Sequence, residues 1–202
     1  MSFALNLFAN EFSSNEVYMT SQEVRSSGRA VRPRDSASLI LVRTDGTEAR
    51  LLMGKRSLKH KFMPNKFVFP GGVVDRTDSR VRTNNELQPE VLRRLRRGCS
   101  ESRARALAVA AVRETFEETG LVIGERESTV IPSSSTVWCR FHQLGGNPRL
   151  DQLRYIARAI TPPYRNRRYD ARFFMMFLRP ADIQADFVQR QTDELSHIRW
   201  VT

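Results

Sequence analysis

Glu114, Glu117 and Glu118 stand at i, i+3 and i+4 in the run Arg113-Glu114-Thr115-Phe116-Glu117-Glu118-Thr119-Gly120-Leu121. On a helix that spacing puts three carboxylates on one face, within reach of a common point. Three anions so placed repel one another, and a hard divalent cation relieves the repulsion. Oxygen ligands are what Mg²⁺ or Mn²⁺ prefers. Leu107, Ala108, Ala111, Val112, Thr115 and Phe116 form an apolar stripe lying largely away from the acids, so the helix buries one side and offers the other. Gly120 ends it at the position where glycine is favoured. For an arbitrary E-x-x-E-E a solvated acidic face is the better reading. Here Arg113 before the cluster, the apolar Leu121-Val122-Ile123 after it, and Phe69-Pro70-Gly71-Gly72 upstream favour a metal site.

Together these residues resemble the Nudix box, G-x5-E-x7-R-E-u-x-E-E-x-G-u with u apolar. Arg113, Glu114, Thr115 (in the first apolar slot), Glu117, Glu118, Gly120 and Leu121 fill its second half, and Gly71-Gly72 open the first. Forty residues then separate Gly72 from Arg113, 27 more than the 13 of the pattern, and the slot eight before Arg113 holds Arg105 where the box has glutamate. An insertion within the box resembles the branch of peroxisomal coenzyme A diphosphatases and their bacterial relatives. Segments around Phe62-Met63-Pro64, Val68-Phe69-Pro70, Arg167-Arg168-Tyr169-Asp170 and Asp193-Glu194-Leu195 are similar to that branch too.

The resemblance implies an α/β/α sandwich with a mixed central sheet over residues 36–202, and a metal-dependent diphosphatase. Glu114, Glu117 and Glu118, with a carbonyl of Gly71 or Gly72, would hold Mg²⁺ or Mn²⁺. Glu114 would be a ligand or position the attacking water, and Glu194 would be the general base. A plain turn acid before a strand is nearly as good a reading of Glu194. Arg113 would brace the loop against the helix; with Arg105 in the glutamate slot, its candidate partners are Asp75, Asp78 and Glu101. Arg167, Arg168 and Arg172 are candidate phosphate clamps by forked hydrogen bonds. Against that, strand alternation puts Arg168, Asp170 and Arg172 on one face, where an internal ion pair with Asp170 would form. Tyr169, Phe67 and Trp138 are candidates to stack on a base, with packing as the alternative for each. The substrate the branch implies is coenzyme A or an acyl-CoA. Dinucleotide polyphosphates, nucleotide sugars and oxidised nucleotides are the alternatives, and a catalytically weak nucleotide- or RNA-binding module is the rival of another class.

The elements that must position these residues follow from the pattern. Ser38–Val42 reads as a buried strand, Asp45-Gly46 as a turn, and Ala49–Met53 as the return strand. Lys66–Phe69 is a third strand, broken by Pro70-Gly71-Gly72, whose glycines permit a sharp turn. The insertion occupies about residues 75–104, with a helix over 89–97 ended by Gly98. The box helix covers 105–119. Residues 151–159 fit helix or strand equally. Phe173–Leu178 is a continuous apolar run of strand length, hence a central strand, and His197–Val201 is the last strand. Residues 1–35 are polar and irregular and read as an extension, which could exchange between subunits of a homodimer.

Bulk properties bound the rest. A chain of 202 residues suits one domain with a real core. No apolar run approaches the ~20 residues of a membrane span, and the first ten residues lack the basic start of a secretory signal. Cys99 and Cys139 form no framework and fit a reducing, cytoplasmic compartment. The net charge of +11 attracts anions. That suits a small-molecule diphosphate and disfavours no nucleic acid by itself; the resemblance makes nucleic acid the less expected partner. Arg93, Arg94, Arg96, Arg97, Arg103 and Arg105 concentrate charge in and just beyond the insertion, as a solvated face or as phosphate ligands in equal measure.

Overall fold

The computed structural model describes residues 30–58, 64–126, 135–144, 146–178 and 195–202. They fall into two compact units. The larger lies within Arg34–Ile160 and Tyr169–Thr202; of the smaller, residues 30–33 and Thr161–Arg168 are described. In the smaller unit Arg168 donates from Nη1 to the Val31 carbonyl at 2.7 Å and from Nε to the Thr161 carbonyl at 3.0 Å.

The larger unit is built on a mixed sheet. Its strands are β1 (Arg34–Arg43), β2 (Arg50–Arg56), β3 (Phe67–Val68), β4 (Gly71–Val73), β7 (Arg154–Ile160), β8 (Tyr169–Leu178) and β9 (Leu195–Val201); β5 (Gly124–Arg126) and β6 (Gly146–Pro148) form a separate pair. The order is β3-β2-β1-β8-β7, with β4 also pairing β1 and β9 pairing β2. The apolar residues of β1 and β8 explain why these two strands lie inside the sheet: they run parallel over ten paired residues, from Arg34 opposite Tyr169 to Arg43 opposite Leu178. β7 closes the edge antiparallel to β8, which resolves residues 151–159 as a short 3₁₀ turn, Leu150–Gln152, followed by strand.

The described residues of the unit also form three α-helices: α1 (Pro89–Leu95), α2 (Glu101–Thr119) and α3 (Thr136–Gln143). α2 is the expected box helix, begun four residues earlier than its pattern indicated. The Ser100 hydroxyl caps it by accepting from the Arg103 N–H at 3.3 Å. Gly120 closes it in the left-handed region at φ 76°, its N–H donating to the Phe116 carbonyl at 2.8 Å. Ala104, Leu107, Ala108, Ala111 and Val112 are fully enclosed, seating the helix in the core beside Leu39, Leu41 and Phe174. Phe141 meets Phe116 edge-on with centroids 5.2 Å apart, and Trp138 meets Phe141 at 5.1 Å. Trp138 is therefore a core residue of α3 and cannot stack on a ligand.

Two expectations need correction. Gly71-Gly72 do not only turn the chain; they are the strand β4, in register with Ser38 and Ala37 of β1. A Cβ on Gly71 would lie 2.4 Å from the Ala37 carbonyl oxygen and 2.6 Å from the Ser38 Cα, so only glycine permits this approach. The insertion is also more than a helix on a loop. Its first part makes the 3₁₀ turn Asp78–Arg80, which packs on α2.

Phe141→Ala should lower unfolding free energy by about 3–5 kcal/mol, the usual cost of emptying a closed aromatic site. Urea denaturation would measure it; a loss below about 1 kcal/mol would mean that α3 does not seal the core around Phe116.

Candidate active site

Arg113 is the centre of the acidic cluster. Its side chain is 8% exposed and makes bonds in three directions. Nε and Nη2 fork onto Asp78 at 2.8 and 3.0 Å, Nη1 donates to Glu117 at 2.6 Å and lies 2.9 Å from Glu114 Oε1, and Nη2 also reaches the Val73 carbonyl at 2.9 Å. Burial alone would lower the guanidinium pKa. The hydrogen bonds to Asp78 and the charges of Glu114, Asp78 and Glu117 outweigh it, so the pKa lies above the ordinary value.

Among the three candidate partners for Arg113, the structure selects Asp78. This carboxylate has no exposed surface and also accepts the Asp75 N–H at 2.8 Å. Asp75 itself binds the Thr77 N–H and hydroxyl, each at 2.7 Å, and these bonds hold its carboxyl below the usual range. Arg105, in the slot of the first box glutamate, turns the other way, to Glu86 at 2.7 Å and the Val81 carbonyl at 2.6 Å. The brace therefore comes from within the insertion, 35 residues before Arg113.

The three box glutamates differ in setting. Glu114 and Glu118 are buried, while Glu117 is exposed. Glu118 accepts the Gly71 N–H at 2.9 Å. Glu114 lies against Gly72: a Cβ there would fall 2.5 Å from its carboxyl carbon. Among the described residues no three acids, histidines or cysteines already converge on a point where they would hold an ion. Arg113 and the Gly71 N–H take up carboxylate oxygens instead, and Gly71 faces the cluster with a donor.

The donor set nevertheless fits a divalent cation. Asp78, Glu114 and Glu117 share the Arg113 guanidinium, and Glu118 binds the Gly71 N–H beside them; these five side chains sum to a charge of −3 (four carboxylates less one guanidinium). Glu117 and Glu118 also lie in the last turn of α2, at the negative end of the helix dipole, and that turn carries no basic residue. Carboxylate oxygens are hard donors suited to Mg²⁺ or Mn²⁺.

The other predicted residues scatter. Arg172 is 2% exposed and paired with Asp170 at 2.6 Å and Asp35 at 3.1 Å, so the internal ion pair suggested by strand alternation is formed. Tyr169 begins β8, half-buried. Arg167 is exposed in the smaller unit, where Arg168 spends its donors on backbone carbonyls. Phe67 lies under the Arg199 guanidinium, 4.6 Å from its ring centroid. Glu194 lies outside the described residues. No sequence reading singled out Arg158, whose fork onto Asp170 at 2.8 Å holds that carboxyl low. Cross-strand pairing of β7 with β8 was the signal for it, and β7 had been ambiguous.

No family model matches the chain. A curated relative, putative nudix hydrolase 7 of Caenorhabditis elegans, is 32% identical over 180 residues, covering 83% of this chain and 51% of the relative. The chain thus spans about half the length of that protein. The crystal structure of a NUDIX hydrolase from Alicyclobacillus acidocaldarius superposes with a TM-score of 0.63 at 24% identity, over 84% of this chain and 78% of that one. The fold is therefore of the Nudix type, a mixed α/β unit with a mixed central sheet. The chain is thus similar in sequence to a protein described as a putative nudix hydrolase, and in fold to a NUDIX hydrolase.

Removing one partner of a buried ion pair costs about 3–5 kcal/mol, whereas an exposed pair contributes about 0–1. Asp78→Ala should therefore destabilise strongly, and Glu86→Ala, which frees the part-exposed Arg105, only slightly. Equal losses in thermal or urea denaturation would contradict the assignment of the brace to Asp78.

Proposed function

We propose that this chain is a metal-dependent hydrolase that cleaves a diphosphate linkage in a nucleoside diphosphate joined to another moiety. The excess of acids around Arg113 carries this reading: three carboxylates share its guanidinium and Glu118 lies beside them on the Gly71 N–H, in the stretch where the box resemblance expects a cation. Glu114, Glu117 and Glu118 would hold Mg²⁺ or Mn²⁺. Bound there, the ion would offset the phosphate charge that repels nucleophiles and would lower the pKa of water.

The chain's own residues have separable roles in this proposal. Glu117, exposed, meets solvent and is where a ligand would first be engaged. Glu114, pressed on Gly72, positions water or completes the ligand set. Arg113 and Asp78 fix the helix against the loop, so the carboxylates keep their places. Glu194 is proposed as general base and Arg167, with Arg168 and Tyr169, as substrate contacts; these rest on the resemblance. The Asp78 brace argues against the weak binding module, whose case was the loss of the first box glutamate. Coenzyme A or an acyl-CoA is the proposed substrate, on the strength of the insertion within the box. A homodimer is the proposed assembly, as in many members of the family the chain resembles.

The test is hydrolysis of coenzyme A, acetyl-CoA, ADP-ribose, NADH, diadenosine polyphosphates and 8-oxo-dGTP with Mg²⁺ or Mn²⁺. Coenzyme A should lead, and Glu117→Gln should lose more than about 100-fold in turnover, because loss of even an outer-shell partner costs about 10–100-fold. Another leading substrate would overturn the coenzyme A proposal alone. No metal-dependent turnover on any of them would overturn the hydrolase reading.

A further inference from the structure

The six arginines in and just beyond the insertion divide into two sets. Arg93 pairs with Glu90, Arg96 with Glu101, Arg103 with Asp35 and Arg105 with Glu86. Arg94 and Arg97 have no carboxylate partner among the described residues, and both line one cleft of about 260 Å³. Gly98, Tyr155, Arg158 and Arg172 complete most of its wall. We propose that this cleft binds a phosphomonoester group.

The two arginines from the sheet are aimed by their acids. Arg158 uses Nε and Nη2 on Asp170, both at 2.8 Å, leaving Nη1 toward Gly98; a Cβ on Gly98 would lie 2.7 Å from it. Among the described residues Arg172 makes its contacts through Nη1: to Asp170 Oδ1 at 2.6 Å, to Asp35 Oδ1 at 3.1 Å and to the Asp170 carbonyl at 2.9 Å. Its Nε and Nη2 carry three of the five N–H donors and have no partner among the described residues. Nη2 lies 3.8 Å from the same point at Gly98, so the unused donors of an almost fully buried guanidinium line the cleft. Donors so placed suit a ligand that brings acceptor oxygens.

Charge selects the acceptor. Among the described residues, Arg94, Arg97, Arg158 and Arg172 of the wall, with Arg103 on Asp35 nearby, are set against Asp35 and Asp170, a balance of +3 (five less two). Guanidinium forks match the oxygens of phosphate. The Arg94 guanidinium already lies over the Tyr155 ring, 5.2 Å from its centroid, so an aromatic wall adjoins the charged one. The donors converge on a concavity and do not run along a stripe, which favours a small phosphomonoester over a nucleic-acid backbone. This cleft is also distinct from the acidic cluster. Gly98 adjoins the first turn of α2, whereas the glutamates occupy its last turns. The 13 helical steps from Glu101 to Glu114 (114 − 101) rise about 20 Å.

Calorimetric titration of the full chain with inorganic phosphate and with adenosine 3′-monophosphate, both in EDTA, tests this. EDTA keeps the acidic cluster free of metal, so the result does not depend on the hydrolase proposal. Saturable one-site binding is expected, with phosphate and the nucleotide competing. Arg94→Ala/Arg97→Ala should weaken it at least about ten-fold, the worth of one charge-assisted hydrogen bond, while the equally charged control Arg80→Ala/Arg82→Ala should bind as the parent does. The proposal is overturned by no saturable binding, by equal weakening in the control, or by tighter binding of a single-stranded oligonucleotide than of either small probe. Nucleotide binding that phosphate fails to displace would overturn it as well.

Discussion

The Arg113 guanidinium ties this structure together. Burying a guanidinium costs several kcal/mol unless good partners surround it. Arg113 meets that cost with Asp78 from the insertion, Glu114 and Glu117 from its own helix, and the carbonyl of Val73 from β4. One side chain thereby joins three stretches of chain, and the positions of the acidic residues are set by what it binds.

Close backbone approach does the rest. Gly71 lets β4 lie against Ser38 and Ala37, and Gly72 leaves space that the Glu114 carboxylate fills. The Gly71 N–H then holds Glu118. Packing of α2 through its alanine and leucine face fixes the distance between helix and strand, so small residues in the core decide how near the acids sit to the loop.

Much of this was legible in the sequence, for physical reasons that differ by element. β1 and β8 are buried in mid-sheet, and their apolar runs announce them. α2 carries its stripe, its acids and its closing glycine within one local window. β7 is an edge strand holding Arg154 and Arg158, with a register shift between Tyr155 and Ala157, so neither strand nor helix periodicity was clean. α3 was missed although Trp138, Phe141 and His142 recur at i, i+3 and i+4, because eight residues are a short window. Asp78 could be named only as one of three candidates, since the pairing spans 35 residues and depends on how the insertion folds. The division of the insertion's arginines into paired and unpaired sets is likewise a tertiary property: Glu86 and Asp35 reach Arg105 and Arg103 only after folding.

The long helix separates two opposite imbalances of charge, negative where its last turns meet β4 and positive where its first turn meets the insertion. The account stands on the first. The most direct measurement is a Mn²⁺ titration of the metal-free chain followed by electron paramagnetic resonance, in the parent and in Glu117→Gln. Saturable binding in the parent that is greatly weakened in the variant is the predicted result. Equal affinity in the two, or no binding in the parent, would contradict the assignment of the acidic cluster as a divalent-cation site.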